Sequence, residues 1–391
     1  MQAVTNESQK PGRPGDARKP PRRKRYSGTH PRRFDQRYKE LSPADHPGIV
    51  KHVRSRGQTP AGMHVPIMAY EVIECLRPVA GEVVVDCTLG YGGHAEQFLQ
   101  RIGPAGLPAN DPDQLMAGLL VGLDVDGCQL RRTAERLSAM GGRLSVHRSN
   151  FAGIAKVLAA AGVGQCDVIF ADLGVSSMQL DDPARGFSYK HDGPLDMRMD
   201  DRIGATAADL IARLGEAELS AAIVELADEP DHARIARAIV QARAARPITR
   251  TLELADLVFR AKGLARARWR EAASAGQVDL HPAARTFQAL RILVNDELGS
   301  LRELLRVAPS CLKTGGRIGI LTFHSGEDRL VKHAFRAGLE AGVYREASPE
   351  PIRPGAAEVR ANPRSRPAKF RWATINPGGW LVGWAVTAPK Q

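Results

Sequence analysis

The apolar positions of the chain fall into short runs that alternate with longer stretches of helical spacing. Five runs bounded by turn residues are predicted as strands: 82–88, 119–126, 143–151, 166–174 and 316–325. Between these runs, 129–140 and 152–162 carry the spacing of amphipathic helices. Strands that are apolar on both faces need helices on both sides. The pattern therefore predicts an α/β fold with a doubly wound, mostly parallel sheet.

Two segments interrupt this alternation. Residues 103–118 are rich in Gly, Pro and Asp where the first helix should lead directly into the second strand, so we expect a surface insertion there. Residues 183–285 contain several helical stretches and no clear strand pattern. They predict an all-helical domain inserted between the fourth and fifth strands. The α/β domain is therefore expected to be discontinuous, over 61–182 and 286–391.

The positive charge of the chain is concentrated at its N-terminal end. The 391 residues carry a formal net charge of +12, but residues 1–60 alone hold 15 Lys and Arg against 5 Asp and Glu. This segment is rich in Pro and Arg and almost free of apolar periodicity, so we predict a disordered basic extension. A solvated tail and a phosphate-binding arm both fit it. The remaining chain is nearly neutral, and its charge alone does not indicate a nucleic-acid partner.

Cysteine usage and hydropathy indicate the compartment. The five cysteines are scattered, without a C-x-x-C pair, which argues against a zinc site and against a disulfide framework and fits a reducing cytoplasm. A run of about 18 apolar residues is absent from the sequence, so we expect no membrane span. Association into a homodimer is left open.

The segment VVVDCTLGYGGHAEQFL, residues 83–99, passes from a predicted strand through a glycine turn into a helix. Such a turn often carries an anionic or nucleotide-like ligand against its backbone, although glycines also serve plain tight turns. Gly90-x-Gly92-x-x-Ala95 even fits a dinucleotide fingerprint. Asp124 ends the second strand, where a carboxylate can accept hydrogen bonds from ribose hydroxyls. These features do not distinguish a nicotinamide enzyme from an S-adenosylmethionine enzyme.

The end of the fourth strand does distinguish them. The sequence there is ADLGVSS, residues 171–177, which offers Asp172 and none of the catalytic His, Lys or Tyr residues expected of a dehydrogenase. In S-adenosylmethionine enzymes, an acid or amide at this point faces the transferable methyl group and its acceptor.

Three later segments are candidates for contacts with a nucleic acid. Residues 178–200 are dense in Asp, Arg and Gly and contain Phe187, so they suit an unstacked base and its phosphates, although pairs such as Asp196 with Arg198 can equally pin a long loop to the body. Residues 281–298 predict one amphipathic helix with a polar face. Residues 362–371 form a basic stretch with a single aromatic residue. The predicted RNA contacts are Arg185, Phe187, Arg198, Arg285 and Arg364.

The segment FHSGEDRLVKHAF, residues 323–335, closes a strand and opens a helix, and Ser325 is predicted as its N-cap. His324 is expected to be a packed histidine, with a role in the site left open.

Taken together, these motifs resemble the family of bacterial 16S ribosomal RNA cytosine N4-methyltransferases, known as RsmH or MraW. The motifs are GGH (92–94), DLGVSS (172–177), QLDDPARGFS (179–188), DGPLDMRMD (192–200) and HPAARTFQALRI (281–292), extended by FHSGEDRLVK and NPRSR. The resemblance covers about residues 63–371.

The resemblance implies a class I S-adenosylmethionine-dependent methyltransferase with an inserted helical substrate domain. The implied partner is 16S ribosomal RNA or the small ribosomal subunit, with N4 of a decoding-region cytosine as target and with no metal. Carried over by motif, the cofactor contacts are Gly92, Gly93, His94, Asp124, Phe151, Asp172 and Gln179. The chain departs from the family pattern at Tyr91, at Gly326 and in the segment 225–240, which puts loop details in doubt.

We expect Asp172 to polarise the target amine by accepting one of its protons as a hydrogen bond, or else to serve mainly in holding the cofactor. No cysteine lies beside the strand-four turn, where a methyltransferase acting on C5 would place its nucleophile. Two other functions stay open: an RNA-binding ribosome-assembly factor with a vestigial cofactor pocket, and a nicotinamide-dependent oxidoreductase.

Overall fold

The computed structural model describes residues 66–103, 118–138, 143–276 and 280–377. The predicted N-terminal extension and nearly all of the predicted insertion at 103–118 lie outside these ranges. Within them the sheet has seven strands: β1 Val83–Asp86, β2 Leu119–Asp124, β3 Arg143–Arg148, β4 Cys166–Asp172, β5 Leu312–Thr322, β6 Tyr344–Ala347 and β7 Lys369–Ile375.

The strands follow the order β3-β2-β1-β4-β5-β7-β6. The first five in this order are parallel, whereas β7 runs antiparallel between β5 and β6. The chain builds outward from β1 to β3 and then returns to place β4 on the other side of β1. The carboxyl ends of β1 and β4 therefore meet at the point where the strand order reverses, which is where open α/β sheets bind their ligands.

Helices cover both faces of this sheet. One face packs against α1 Ala69–Leu76, α2 Gly93–Ile102 and α3 Gly127–Ser138. The other face packs against α4 Ile154–Ala160 and against two later helices, α12 Glu297–Cys311 and α13 Ser325–Glu340. Strands β1, β2 and β4 at the middle of the sheet are almost completely buried, as their apolar sequences require. The predicted α/β class with a mostly parallel, doubly wound sheet is confirmed.

The chain between β4 and β5 is mostly helical in its described part, apart from a long loop at 186–206. Its helices are α5 Ser177–Asp181, α6 Ala207–Arg213, α7 Glu216–Ala227, α8 His232–Ala245, α9 Thr251–Ala261, α10 Arg266–Ser274 and α11 Ala284–Asn295, before α12. Helices α6, α7, α8, α9 and α11 share a separate apolar core. A short helix, α14 Ala356–Ala361, precedes β7. The division of the chain into domains at 182 and 286 stays a prediction.

Three sequence predictions need correction. The single helix predicted over 281–298 is two helices, because Asp296 adopts a left-handed conformation with φ 46° between α11 and α12. The N-cap of α13 is His324 rather than Ser325, since the His324 ring accepts a hydrogen bond from the Glu327 backbone N–H at 3.4 Å. The fifth strand begins at Leu312, four residues before its predicted start.

Candidate active site

A cleft of about 1170 Å³ lies at the carboxyl ends of the central strands, between the sheet and the helical segment. All seven predicted cofactor contacts line it: Gly92, Gly93, His94, Asp124, Phe151, Asp172 and Gln179. These residues come from the ends of β2, β3 and β4 and from the starts of α2 and α5. The fold therefore brings together side chains that are up to 87 positions apart in the sequence.

The glycine loop closes tightly against β2 and α3. Gly90 and Gly92 have positive φ angles of 48° and 69°, which side chains rarely adopt. A Cβ atom on Gly92 would lie 2.8 Å from the Thr133 methyl carbon, so no side chain fits there. The Gly90 N–H donates to Asp124 Oδ2 at 2.7 Å, and the Thr133 hydroxyl donates to the Gly90 carbonyl at 2.6 Å. Asp124 thus fixes the loop as well as facing the cleft.

Asp124 and Phe151 lie at one end of the cleft, after β2 and β3. The other carboxylate oxygen of Asp124 accepts the Asp126 backbone N–H at 2.9 Å. Burial raises the pKa of Asp124, although these backbone donors oppose the shift. Phe151 opens a short 3₁₀ turn capped by Asn150, whose side chain accepts the Ala152 N–H at 2.8 Å. A carboxylate beside a flat apolar ring suits a nucleoside, with its ribose hydroxyls on the acid and its base on the ring.

Asp172 lies at the centre of the cleft, at the end of β4. Its backbone N–H donates to the Thr88 hydroxyl at 2.6 Å. Burial raises the pKa of Asp172 to about 8, with further contributions from the nearby Asp86 and Glu327 carboxylates. Asp86 is only 1% exposed, and burial raises its pKa to about 7. Asp172 therefore lines the cleft and Asp86 lies buried near it, so two negative charges meet here when both carboxyl groups are ionised.

His94 does not compensate them. In the described part of the chain it is the one ion-pair partner of Asp172, with its Nδ1 3.6 Å from Asp172 Oδ2. Burial lowers the pKa of His94 to about 4, so the ring is neutral at physiological pH. Its Nε2 lies 3.0 Å from the Ile67 carbonyl, which can only accept, so Nε2 carries the proton and Nδ1 presents a lone pair to Asp172. A cationic ligand would supply the missing positive charge.

Gln179 lies in the first turn of α5, where it forms a capping box with Ser176. The Gln179 N–H donates to the Ser176 hydroxyl oxygen at 3.2 Å, and the Ser176 N–H donates to the Gln179 amide oxygen at 2.9 Å. This reciprocal pair fixes the turn that follows Asp172.

Comparison with known proteins decides the family. Residues 61–376 match the MraW methylase family. The chain belongs to the MraW methylase family. It is 41% identical to a protein of Lachnoclostridium phytofermentans named ribosomal RNA small subunit methyltransferase H 1, over 94% of this chain and 97% of the relative. A relative from Geobacter sp. (strain M21), named ribosomal RNA small subunit methyltransferase H, is 45% identical over 79% of this chain and 97% of its own length.

Membership in the MraW methylase family confirms the recognition made from the sequence motifs and the class I methyltransferase fold. It also confirms S-adenosylmethionine as the cofactor of this chain. None of the described helices combines the length and apolar character that a membrane crossing requires. The described residues also contain no group of three or more His, Cys, Asp or Glu side chains placed to hold a metal ion.

The predicted RNA contacts of this MraW family member are spread over different environments. Phe187 and Arg364 line the cleft, but Phe187 is 4% exposed and packs in the helical core. Arg364 is exposed and pairs with Asp181 at 3.1 Å. Arg285 donates to the Asp228 carbonyl, away from the cleft. The role of these residues in binding RNA stays a prediction.

Arg185 and Arg198 anchor the loop that carries them. Arg185 pairs with Asp126 at 2.6 Å and donates to the backbone carbonyls of residues 198 and 199. Arg198 pairs with Asp196 at 2.8 Å and donates to the Ile203 carbonyl at 2.8 Å. These contacts match the alternative reading of the segment, in which paired charges pin a long loop to the body.

Several residues of the cleft were not among the predicted site residues. Arg291 at the end of α11 forms a bidentate ion pair with Glu297 at the start of α12, at 2.8 and 2.9 Å. Glu327 is 2% exposed and accepts the Phe323 N–H at 2.8 Å. Tyr189 stacks on His281, with ring centroids 4.3 Å apart. The capping pattern at 324–327 was the one sequence signal for Glu327. Tyr189 and His281 are distant along the chain, and Arg291 and Glu297 meet at a helix break that the sequence did not predict, so neither contact had a local signal.

Proposed function

We propose that this protein transfers a methyl group from S-adenosylmethionine to N4 of a cytosine in the decoding region of 16S ribosomal RNA. Membership in the MraW methylase family and the names of the relatives, which are small-subunit ribosomal RNA methyltransferases, support the reaction class and the RNA. The observation that carries the site assignment is the partly exposed Asp172 carboxylate at the centre of the cleft, beside a neutral histidine.

The residues that line the cleft fit this cofactor. Asp124 would hold the ribose, Phe151 the adenine, and the turn around Gly92 and Gly93 would lie against the methionine part. The uncompensated carboxyl groups of Asp172 and Asp86 suit a ligand that carries positive charge. S-adenosylmethionine supplies an electrophilic methyl carbon on a sulfonium, which requires no metal and no covalent enzyme intermediate.

Asp172 would act on the amine. The N4 lone pair of cytosine is delocalised into the ring, so it attacks weakly. A carboxylate that accepts a hydrogen bond from one N4 proton pushes electron density back onto nitrogen and stabilises the positive charge that develops there. The new N–C bond forms as the C–S bond breaks, and one N4 proton leaves to the carboxylate or to water. The His94 lone pair faces the same carboxyl group and can share its proton.

An RNA strand would enter past the outer part of the cleft. Tyr189 and the 54% exposed Leu280 form an aromatic and apolar surface there, and Lys190, Arg364 and Arg366 line the same part of the molecule. Aromatic rings beside cations are typical of single-stranded RNA binding. The target base has to leave its stack to reach Asp172.

Nucleoside analysis tests the proposed function directly. Small ribosomal subunits and free 16S ribosomal RNA, each lacking the modification, are incubated with the protein and S-adenosylmethionine, then digested and examined by mass spectrometry. We expect N4-methylcytidine. Formation of 5-methylcytidine, or of no methylated cytidine in either substrate, would contradict the proposal. Calorimetry with S-adenosylmethionine and with NAD distinguishes a methyltransferase from a nicotinamide-dependent oxidoreductase. Detection of methyl transfer distinguishes an active enzyme from an assembly factor with a vestigial cofactor pocket.

Replacing Asp124 with alanine should weaken S-adenosylmethionine binding by about 1.5–3 kcal/mol, the range for hydrogen bonds lost from a charged acceptor. The effect includes the loss of the Gly90 anchor as well as any ribose contact. Thr133→Val removes the other anchor of the same loop, the hydroxyl bonded to the Gly90 carbonyl, and is the matched control. Calorimetry should show a clearly larger loss for Asp124→Ala. If both variants lose the same affinity for S-adenosylmethionine, Asp124 only stabilises the glycine loop and does not contact the ribose.

Binding of S-adenosylmethionine should strengthen as the pH rises from 6 to 8. In this interval Asp172, with its pKa of about 8, and Asp86, with its pKa of about 7, must lose protons before they can attract the sulfonium. The gain is at most about tenfold per pH unit for each coupled proton. S-adenosylhomocysteine lacks the sulfonium charge and should show a shallower dependence. Parallel pH slopes for the two ligands in calorimetry would disprove the charge coupling.

A further inference from the structure

We infer that Phe323, at the end of β5, is the residue on which the target pyrimidine stacks during methyl transfer. This inference rests on the proposed function, since it assigns the surface that holds the base whose amine Asp172 would polarise. The sequence motifs alone assign Phe323 no role.

The topology places Phe323 next to Asp172. Strands β4 and β5 are parallel neighbours, with Asp172 opposite Leu321, and the Leu173 N–H donates to the Leu321 carbonyl at 2.9 Å. Phe323 follows two residues later and lines the cleft together with Asp172. A hydrogen bond to the exocyclic amine lies in the plane of the base. A side chain on the adjacent strand is therefore suitably placed to cover the face of a base whose edge meets Asp172.

Space for a flat ring exists beside Phe323. Gly174 has a φ of 103°, and a Cβ atom built on it would meet a single atom within 4 Å, Phe323 Cδ2 at 3.7 Å. A side chain at position 174 would thus project against the phenyl ring and otherwise into open space. Glycine at this position leaves that side of the ring uncovered.

The backbone around Phe323 is held firmly. Glu327, buried beneath the turn, accepts the Phe323 N–H at 2.8 Å and the His324 N–H at 3.3 Å through one carboxylate oxygen. Burial alone would raise the pKa of Glu327, but contacts with His324, Arg291 and the Phe323 N–H lower it. The Glu327 carboxylate that holds the Phe323 backbone is therefore ionised. A ring fixed in this way can orient a base without the entropy loss of ordering a loop on binding.

Three other Phe and Tyr rings that line the cleft are placed for different contacts. Phe151 follows β3, three strands away from β4. Phe187 is buried in the helical core. Tyr189 has its ring stacked on His281, at an interplanar angle of 18°. Of these rings, Phe323 is the one beside the proposed proton acceptor.

Kinetics with small-subunit RNA test this role. With saturating S-adenosylmethionine, Phe323→Leu should lower kcat/KM for the RNA by roughly 5- to 150-fold, the range for one lost base–aromatic stack. Phe323→Tyr keeps the ring and should restore the value to within a few-fold of wild type. Affinity for S-adenosylhomocysteine should stay unchanged in both variants, which also shows that they fold. A Phe323→Leu variant as active as wild type would overturn the inference.

A spectroscopic measurement needs no variant. Cytidine 5′-monophosphate added to the wild-type protein with S-adenosylhomocysteine should show upfield ring-current shifts of its H5 and H6 signals. Phe323→Leu should abolish these shifts, whereas Tyr70→Leu, at an exposed ring outside the cleft lining, should retain them. Signals that stay unmoved with the wild-type protein contradict the inference. A wild-type protein that produces no N4-methylcytidine instead overturns the proposed function, so the two failures are distinguishable.

Discussion

Replacing Asp172 with asparagine should lower the rate of methyl transfer by about 10²–10⁴-fold, the range for removing a positioned proton acceptor. Asparagine keeps the shape of the side chain, but its amide accepts more weakly and can turn a donor toward the donor on N4. Single-turnover transfer to small-subunit RNA at saturating S-adenosylmethionine isolates the chemical step from cofactor binding. If saturation restores the wild-type rate, Asp172 is a cofactor-binding residue, and Ser176, Ser177 and His324 become the next candidates.

Thermal stability provides the control for this variant. An aspartate in an unfolded chain titrates near pH 4, whereas burial raises the pKa of Asp172 to about 8. The folded state therefore holds a proton that the unfolded state has released, and the Asp172 contribution to stability falls as the pH rises from about 4 to about 8. Asparagine avoids this loss. The melting temperature of the ligand-free variant at pH 8 should equal or exceed that of wild type, so a slow variant is not an unfolded one.

Breaking the Arg291–Glu297 pair should lower the free energy of unfolding by about 2–4 kcal/mol. This cost is somewhat below that of breaking a fully buried ion pair, because the side chains of Arg291 and Glu297 are 17% and 11% exposed. Arg291→Met leaves the Glu297 carboxylate without its bidentate partner at the break between α11 and α12. Urea unfolding followed by circular dichroism measures the loss.

A second variant separates the lost pair from lost packing. The double replacement of Arg291 and Glu297 by methionine should recover most of the stability, because Glu297 no longer leaves an unpaired carboxylate. Glu327 keeps His324 and the Phe323 N–H as partners. Arg306→Met, which breaks the exposed pair with Glu303 on α12, should cost much less than Arg291→Met. If Arg291→Met costs no more than Arg306→Met, the pair is not a structural link.

The sheet and the cofactor side of the cleft could be predicted because their signals are local. Apolar runs define β1 to β5, and polar residues directly after those runs, such as Asp124 and Asp172, must lie at the same edge of a parallel sheet. The glycine loop is visible because positions 90 and 92 need conformations that glycine adopts readily. Each of these features depends on a few neighbouring residues.

The remaining features depend on partners that are distant in the sequence. The positive charge of Arg185 suggested an RNA contact, but its partner Asp126 lies 59 residues earlier and meets it only in the folded chain. The spacing of apolar residues does not indicate the break at Asp296. In the sequence, an aspartate that ends a helix in a left-handed conformation looks the same as an aspartate on the polar face of a continuous helix. Strand β7 was missed because its polar residues, such as Arg371, are satisfied by Asp328 within the fold.

The position of β7 between β5 and β6 has a consequence for synthesis on the ribosome. Strand β5 is complete at residue 322, but its outer neighbour is formed by residues 369–375. A nascent chain therefore carries an open strand edge until almost the whole described sequence has been translated, and β6 also waits for β7 as its partner. Chains that terminate before Lys369 keep both edges unpaired, and such edges promote association with other chains. Premature termination should thus yield aggregates rather than a partly active enzyme.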